Sequence, residues 1–251
     1  MSTITVILIA TFKERMRYKL SFILGILFLL VMGVMLAFGL TKIGVRSANF
    51  FIAYLLWSLY QSTSNSIGFT INQMATEGVL ERIFTLPIRP IFVINSYNAV
   101  QFVEGFINFW IVMGIGYLIG IKFKFDIVST LTILFIVLLF FAGLSNIYAG
   151  LTLIYKRSAT VIELVNVFLL GSGVYAVGKL SPAAKKIISV IPYTYAAHLL
   201  QRVEIDGIGF AEVLPKLPLL FLTSMCFLIA GIFIFEYCNK YARKRGTIGH
   251  F

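Results

Sequence analysis

The sequence predicts an all-α membrane protein with six transmembrane helices, and three observations lead there. The chain has 251 residues, of which 59% are hydrophobic and only 12% charged, where soluble domains run at about half apolar and about a quarter charged. Its mean hydropathy is +0.95, more apolar surface than a water-soluble fold of this length could hide. The apolar residues are also gathered into runs near the ~20 helical residues that cross a hydrocarbon core. Continuous runs of that length exclude the alternating strands of a membrane barrel.

The elements follow in order. Residues 1–19 carry Ile4, Ile7, Leu8, Phe12 and Met16 at helical spacing, with Lys13, Glu14, Arg15 and Arg17 crowded at the end. This is the pattern of a helix lying in the membrane interface. The basic residues precede a run long enough to span and lacking a small-residue cleavage site, so a retained anchor is expected instead of a signal peptide. Spans are predicted at 20–40, 49–72, 91–121, 127–155, 160–178 and 213–237. Between the second and third spans lies the polar segment 73–90. The mixed segment 179–212 precedes the last span, and 238–251 forms a basic tail. Pro192 divides the apolar part of 179–212 into pieces too short to cross, which suits a re-entrant pair buried against protein.

The net charge of +11 does not point to nucleic acid, because Lys and Arg sit in the gaps between apolar runs and not on one face. Six spans put both termini on one side. Lys13, Arg15, Arg17, Lys19, Arg82, Arg89, Lys156, Arg157, Lys240, Arg243, Lys244 and Arg245 then share that side, against nine basic residues opposite. The positive-inside bias makes it the cytoplasm, so the chain is expected in the cell membrane with both termini cytoplasmic. Cys226 and Cys238 both fall in or beside the last span, which argues against a disulfide or a metal site.

Segment 73–90 is the most informative. Thr76 or Glu77 can cap a short helix whose apolar stripe is Leu80, Ile83 and Phe84, and Pro87 and Pro90 turn the chain back toward the bilayer. A short amphipathic helix of this kind suits a groove on a partner. The run Glu77-Gly78-Val79-Leu80-Glu81-Arg82-Ile83-Phe84-Thr85-Leu86-Pro87 resembles the E-x-G-T-L-E-x-L-x-x-T-P region of ABC-2-type exporter permeases. A second run, Ile191-Pro192-Tyr193-Thr194-Tyr195-Ala196, resembles that family's N-P-L-T-Y segment, with Leu180-Ser181-Pro182 upstream. Val79 stands where the family has Thr, and Ile191 where it has Asn.

The resemblance implies the membrane subunit of an ATP-driven exporter, paired with a second permease copy or a paralogue. Its coupling helix would dock in a separate ATP-binding cassette subunit. Glu77, Gly78, Glu81, Arg82 and Pro87 would then lie at the joint, with Leu80, Ile83 and Phe84 as apolar anchors. Pro182, Pro192, Tyr193 and Tyr195 would belong to an external gate. ATP and Mg would be bound by the partner ATPase, with no cofactor or metal on this chain and no catalytic residue of its own. The expected cargo is a drug or another amphipathic small molecule, with lipid-linked polysaccharide as the alternative. The 24 Phe and 12 Tyr are scattered through every span and do not decide between them.

Polar residues inside the spans are the other candidates. Asn98, Gln101, Glu104 and Asn108 share one helix face, and Ser62 and Asn65 belong to a polar stretch of the second span. Such residues either line a pathway or join helices by hydrogen bonds. Gly116, Gly120, Gly143 and Gly150 permit close helix approach. Residues 173–179 fit part of a phosphate-binding loop, but Leu180 replaces the Ser or Thr that would hold Mg²⁺, and a membrane span precedes it. An intramembrane enzyme would need partners for Glu104 and Glu163 that the sequence lacks. An ion-driven secondary transporter, with Glu104 as proton carrier, is a further alternative; it would show matched halves, and residues 1–125 and 126–251 show no convincing similarity.

Overall fold

The computed structural model of the chain describes residues 19–41, 47–85, 89–155, 158–175 and 190–245. Residues 1–18, expected to form an interfacial helix, together with Pro87, Pro182 and residues 246–251, lie outside them. Among the described residues every regular element is helical.

Helix α1 is Lys19–Thr41 and α2 is Ser47–Tyr60. One π turn, Gln61–Asn65, carries α2 into α3, Ser66–Thr76. The backbone N–H of Ser66 donates to Gln61 O, the five-residue step that defines the π turn. Gly78, at φ +69°, makes the sharp exit that only glycine adopts readily, and α4, Val79–Thr85, follows at once. Helix α5, Pro90–Leu118, opens with proline in its first turn, where the missing N–H costs nothing. Asp126 caps α6, Ile127–Ile154, by accepting from the backbone N–H of Ser129 at 3.2 Å. Helix α7 is Ala159–Tyr175. Helix α8, Pro192–Gln201, runs into a second π turn, Arg202–Asp206, which Gly207 ends in the left-handed region. The short α9, Phe210–Val213, leads into α10, Leu217–Arg245.

Among the described residues three stretches are long and apolar enough to cross a membrane: Pro90–Leu118, Ile127–Ile154 and Phe210–Lys244. Leu24–Met35 and Ala159–Gly173 are shorter apolar helices. Only 22% of the most apolar window of the last stretch is buried, and Leu222, Phe233 and Tyr237 are each more than 60% exposed. Leu164 and Val167 on α7 are as exposed. A contiguous apolar exterior of this extent is unfavourable in water and ordinary in lipid, which marks a membrane protein.

The core is built from α2, α5, α6 and α8, with Phe51, Leu55, Tyr60, Phe109, Phe140 and Tyr193 almost fully enclosed. The most extensive helix pair is α6 with α10. Gly143 sits directly on the backbone of Phe227, and Gly231 on the backbone of Gly143, so any side chain at either would collide with main chain. The pair Gly116 and Gly120, which the sequence suggests as one packing motif, divides its labour. Gly116 accommodates the Phe51 ring, whereas Gly120, at φ +105° with no neighbour near its Cβ position, serves the turn after α5. Helix α10 continues to Arg245, so much of the expected basic tail is helical.

Candidate functional site

The polar face of α5 meets the π turn. Asn98 Oδ1 accepts from Ser145 Oγ on α6 at 2.7 Å, and Gln101 Oε1 accepts from Ser66 Oγ at 2.6 Å. One turn along, Gly105 lets Ser62 of the π turn lie against the α5 backbone. Ser64 Oγ reaches across to the carbonyl of Phe141 at 2.8 Å. The hydroxyls of Ser62 and Thr63 return to Leu59 O, at 2.9 and 2.8 Å. Asn65 Nδ2 bonds Gln61 Oε1 within the same turn. Thus the candidates Asn98, Gln101, Ser62 and Asn65 gather around one irregular turn, where they join α2, α5 and α6. Glu104 and Asn108 lie further along α5, both half-buried, and Asn108 Oδ1 is enclosed without a hydrogen-bond partner.

Beside this knot lies a cavity of about 300 Å³, open on one side. Thr63, Asn95, Asn98, Phe102, Phe141 and Ala142 contribute to its wall, and Leu228 of α10 closes one flank. Among the described residues no ionisable side chain lines it. Asn98 Nδ2 has one long bond, 3.5 Å to Asn95 Oδ1, so the two amides keep donor capacity facing the space. Asn146 follows Ala142 by one helical turn on α6 and is fully buried, and among the described residues neither of its amide atoms has a partner. From the cavity, Phe102, Phe106 and Trp110 continue along α5 at helical spacing, centroids 5.6 and 6.3 Å apart, with Phe135 of α6 alongside.

The second candidate region is α4. Leu80 is 3% exposed and belongs to the core cluster with Ile71 and Ile94, and Ile83 lines a small apolar cavity together with Leu80, Ile71 and Met74. Leu80 is therefore engaged within the chain, and Ile83 is half-buried. The opposite face shows Val79 and Arg82, with Glu77 and Gly78 in the turn before it. Glu77 Oε1 accepts from Gln73 Nε2 at 2.9 Å. The side chains of Glu81 and Phe84, and Pro87 as a whole, lie outside the described residues.

The third region is the segment before α10. Pro192 opens α8, and Tyr193, fully enclosed, donates from its hydroxyl to Ala53 O at 3.1 Å. Thr194 donates to Ser172 Oγ at 2.9 Å, and Gln201 Nε2 to Asn49 O at 2.9 Å. Tyr195 is half-buried, and Pro182 lies outside the described residues. Ten-residue α8 is thus packed among α2, α6 and α7.

Sequence reasoning misses Glu204. It is 1% exposed and sits in the second π turn, where its carboxylate accepts from Phe125 N–H at 3.1 Å and from Thr130 Oγ1. Lys124 completes the junction, its N–H on Glu204 O at 2.8 Å and its ammonium on Asp206 O at 2.9 Å. Burial pushes the Glu204 carboxyl up from the usual carboxylate range, the two hydrogen bonds oppose that shift, and Asp126 adds to it. The only advance signal was an acid in a loop with Arg202 and Asp206 near it, which describes most solvated loops.

Among the described residues no cluster of His, Cys, Asp or Glu could hold a metal ion. No family model matches the chain, and no curated protein matches its sequence.

Proposed function

We propose that this chain is the membrane subunit of an ATP-driven exporter of the ABC-2 permease type, working as a dimer of permeases with separate cassette ATPases. In this reading six helical passes cross the cell membrane: α1, α2 with α3, α5, α6, α7 and α10. Helix α4 then faces the cytoplasm, and the Glu204 junction faces outward. The observation that carries the reading is α4 itself, a seven-residue helix between α3 and α5 with Leu80 buried and Val79 and Arg82 exposed. A short helix clamped on its own chain transmits a push from outside to the two long helices it joins. The docking surface is accordingly Glu77, Gly78, Val79 and Arg82, and Leu80 and Ile83 are the clamp.

The cargo in this reading is a drug or other amphipathic small molecule, held in the cavity between α5, α6 and α10 and passed along α5. Lipid-linked polysaccharide is the second reading, and the column Phe102, Phe106 and Trp110 favours it, since sugar rings stack on aromatic faces.

The test is whether a neighbouring gene encodes a cassette ATPase and whether that ATPase, co-expressed, co-purifies with this chain. Val79→Asp combined with Arg82→Ala should leave a monodisperse, helical permease that no longer retains the ATPase. Full retention and undiminished ATPase activity in that variant would overturn the docking surface.

A further inference from the structure

We infer that the cavity between α5, α6 and α10 is a binding site for an uncharged amphipath, whose hydrogen-bonding head meets Asn95 and Asn98 and whose apolar part lies against Phe102, Phe141 and Leu228. This deepens the exporter reading by naming the chemistry of its cargo, and it rests on that reading only for the word cargo.

The argument starts from volume. At about 300 Å³ the space is too large for one or two waters and matches the lower end of ligand sites, which begin at roughly 300 Å³. Its wall is mostly apolar with a few convergent polar groups, the usual composition of a site that fixes orientation through its polar end. Those polar groups are two carboxamides and a hydroxyl. Thr63 Oγ1 is spent on the carbonyls of Leu59 and Tyr60, at 2.8 and 3.3 Å, so the free capacity lies in the amides. Asn98 is fixed by Ser145 through its oxygen, which leaves its nitrogen to donate, and Asn95 donates to no described residue. Two N–H donors side by side select an acceptor: a hydroxyl, ester or ether oxygen.

Charge is selected against by the same wall. Among the described residues the wall offers no carboxylate to meet a cation and no ammonium or guanidinium to meet an anion, so a charged head would lose its hydration without a counter-ion there. A neutral head loses far less and recovers it in hydrogen bonds. The cavity is partly open and lies between helices α5, α6 and α10, each with a stretch apolar enough to cross a membrane, a setting that suits a lipid-soluble occupant.

The test uses three photoreactive probes with one diazirine-bearing octyl chain and different heads: a monoglyceride, a trimethylammonium and a sulfate. The full-length permease is reconstituted without ATPase, labelled, and the adducts are mapped by peptide. The monoglyceride should label peptides spanning 95–102 and 138–142 saturably, and at least about tenfold more than either charged probe. Ala142→Trp, which fills the cavity, should abolish this labelling, and Asn98→Leu should reduce it severalfold. If Ala142→Trp is not monodisperse, Ala99→Phe at the rim takes its place. Equal or stronger labelling by the cation or the anion would overturn the inference. So would labelling that never saturates, the mark of bulk lipid filling the space. Because no ATPase is present, saturable neutral binding stands even if docking on α4 fails, and its absence leaves the docking surface untouched.

Discussion

Glu204 shows how much one side chain can decide. Its folded-state pKa is raised, so the folded protein holds the proton more tightly than the unfolded chain. The stabilisation it contributes is complete below the ordinary glutamate range and is lost as pH rises through the folded-state value. Thermal unfolding in detergent should therefore show a midpoint that falls with rising pH across this window, and Glu204→Gln should remove that slope. Glu204→Ala, which leaves Phe125 N–H and Thr130 without their acceptor, should cost about 1–3 kcal/mol. The tyrosine pair offers a second check. Tyr60 and Tyr148 share a hydrogen bond of 2.8 Å inside the core. Each single Phe substitution should destabilise by about 1–2 kcal/mol. The double substitution should cost less than the sum of the singles, because no orphaned hydroxyl remains.

At the scale of elements, glycine positions give matched experiments. Gly143→Ala and Gly231→Ala each push a methyl into main chain of the partner helix, and should lower stability by about 1–3 kcal/mol. Gly114→Ala and Gly171→Ala meet nothing within 4 Å, and should be neutral or stabilising by up to about 1 kcal/mol. The same contrast explains what could be read in advance. The ranges of α1, α5, α6, α7 and α10 are legible because hydropathy is a local property of the chain. Helix α4 is legible because Gly78 and the alternation around Leu80 are local too. The π turns are not, since Gln61–Asn65 has nothing in its composition that a regular helix would refuse. The direction of α4 is also hidden. Leu80, Ile83 and Phe84 form one stripe whether it meets a partner or its own bundle, and only the packing against Ile71 and Ile94 distinguishes them. Asn98, Gln101 and Glu104 share a face in the sequence, yet their fates differ because Ser145 and Ser66 arrive from other helices.

The whole molecule makes its own prediction, which concerns sidedness. The proposed six-pass arrangement would place α4 and the segment before α10 on opposite faces of the membrane. With Cys226 and Cys238 replaced by Ser, a single cysteine at Thr76 should react with a membrane-impermeant maleimide only from the cytoplasmic side. A single cysteine at Glu212 should react only from outside. Both positions are exposed, so reaction of both from one side would remove the six-pass arrangement and leave the three long apolar stretches to be rethreaded.

The π turn at Gln61–Asn65 has a consequence for descent. A π turn is a helix that has accepted one inserted residue, and each such residue rotates everything beyond it by about 100°. Removing a single residue there would restore an unbroken α-helix with no change in hydropathy. It would also swing Ser66 away from Gln101 and turn the face of α3 that supports Leu80. Two homologous chains could therefore differ by one gap in an alignment, look equally sound as membrane helices, and present different halves of α3 to the joint on which α4 rests. In this protein, single-residue deletions within 61–65 should be tolerated less well than any substitution at the same positions.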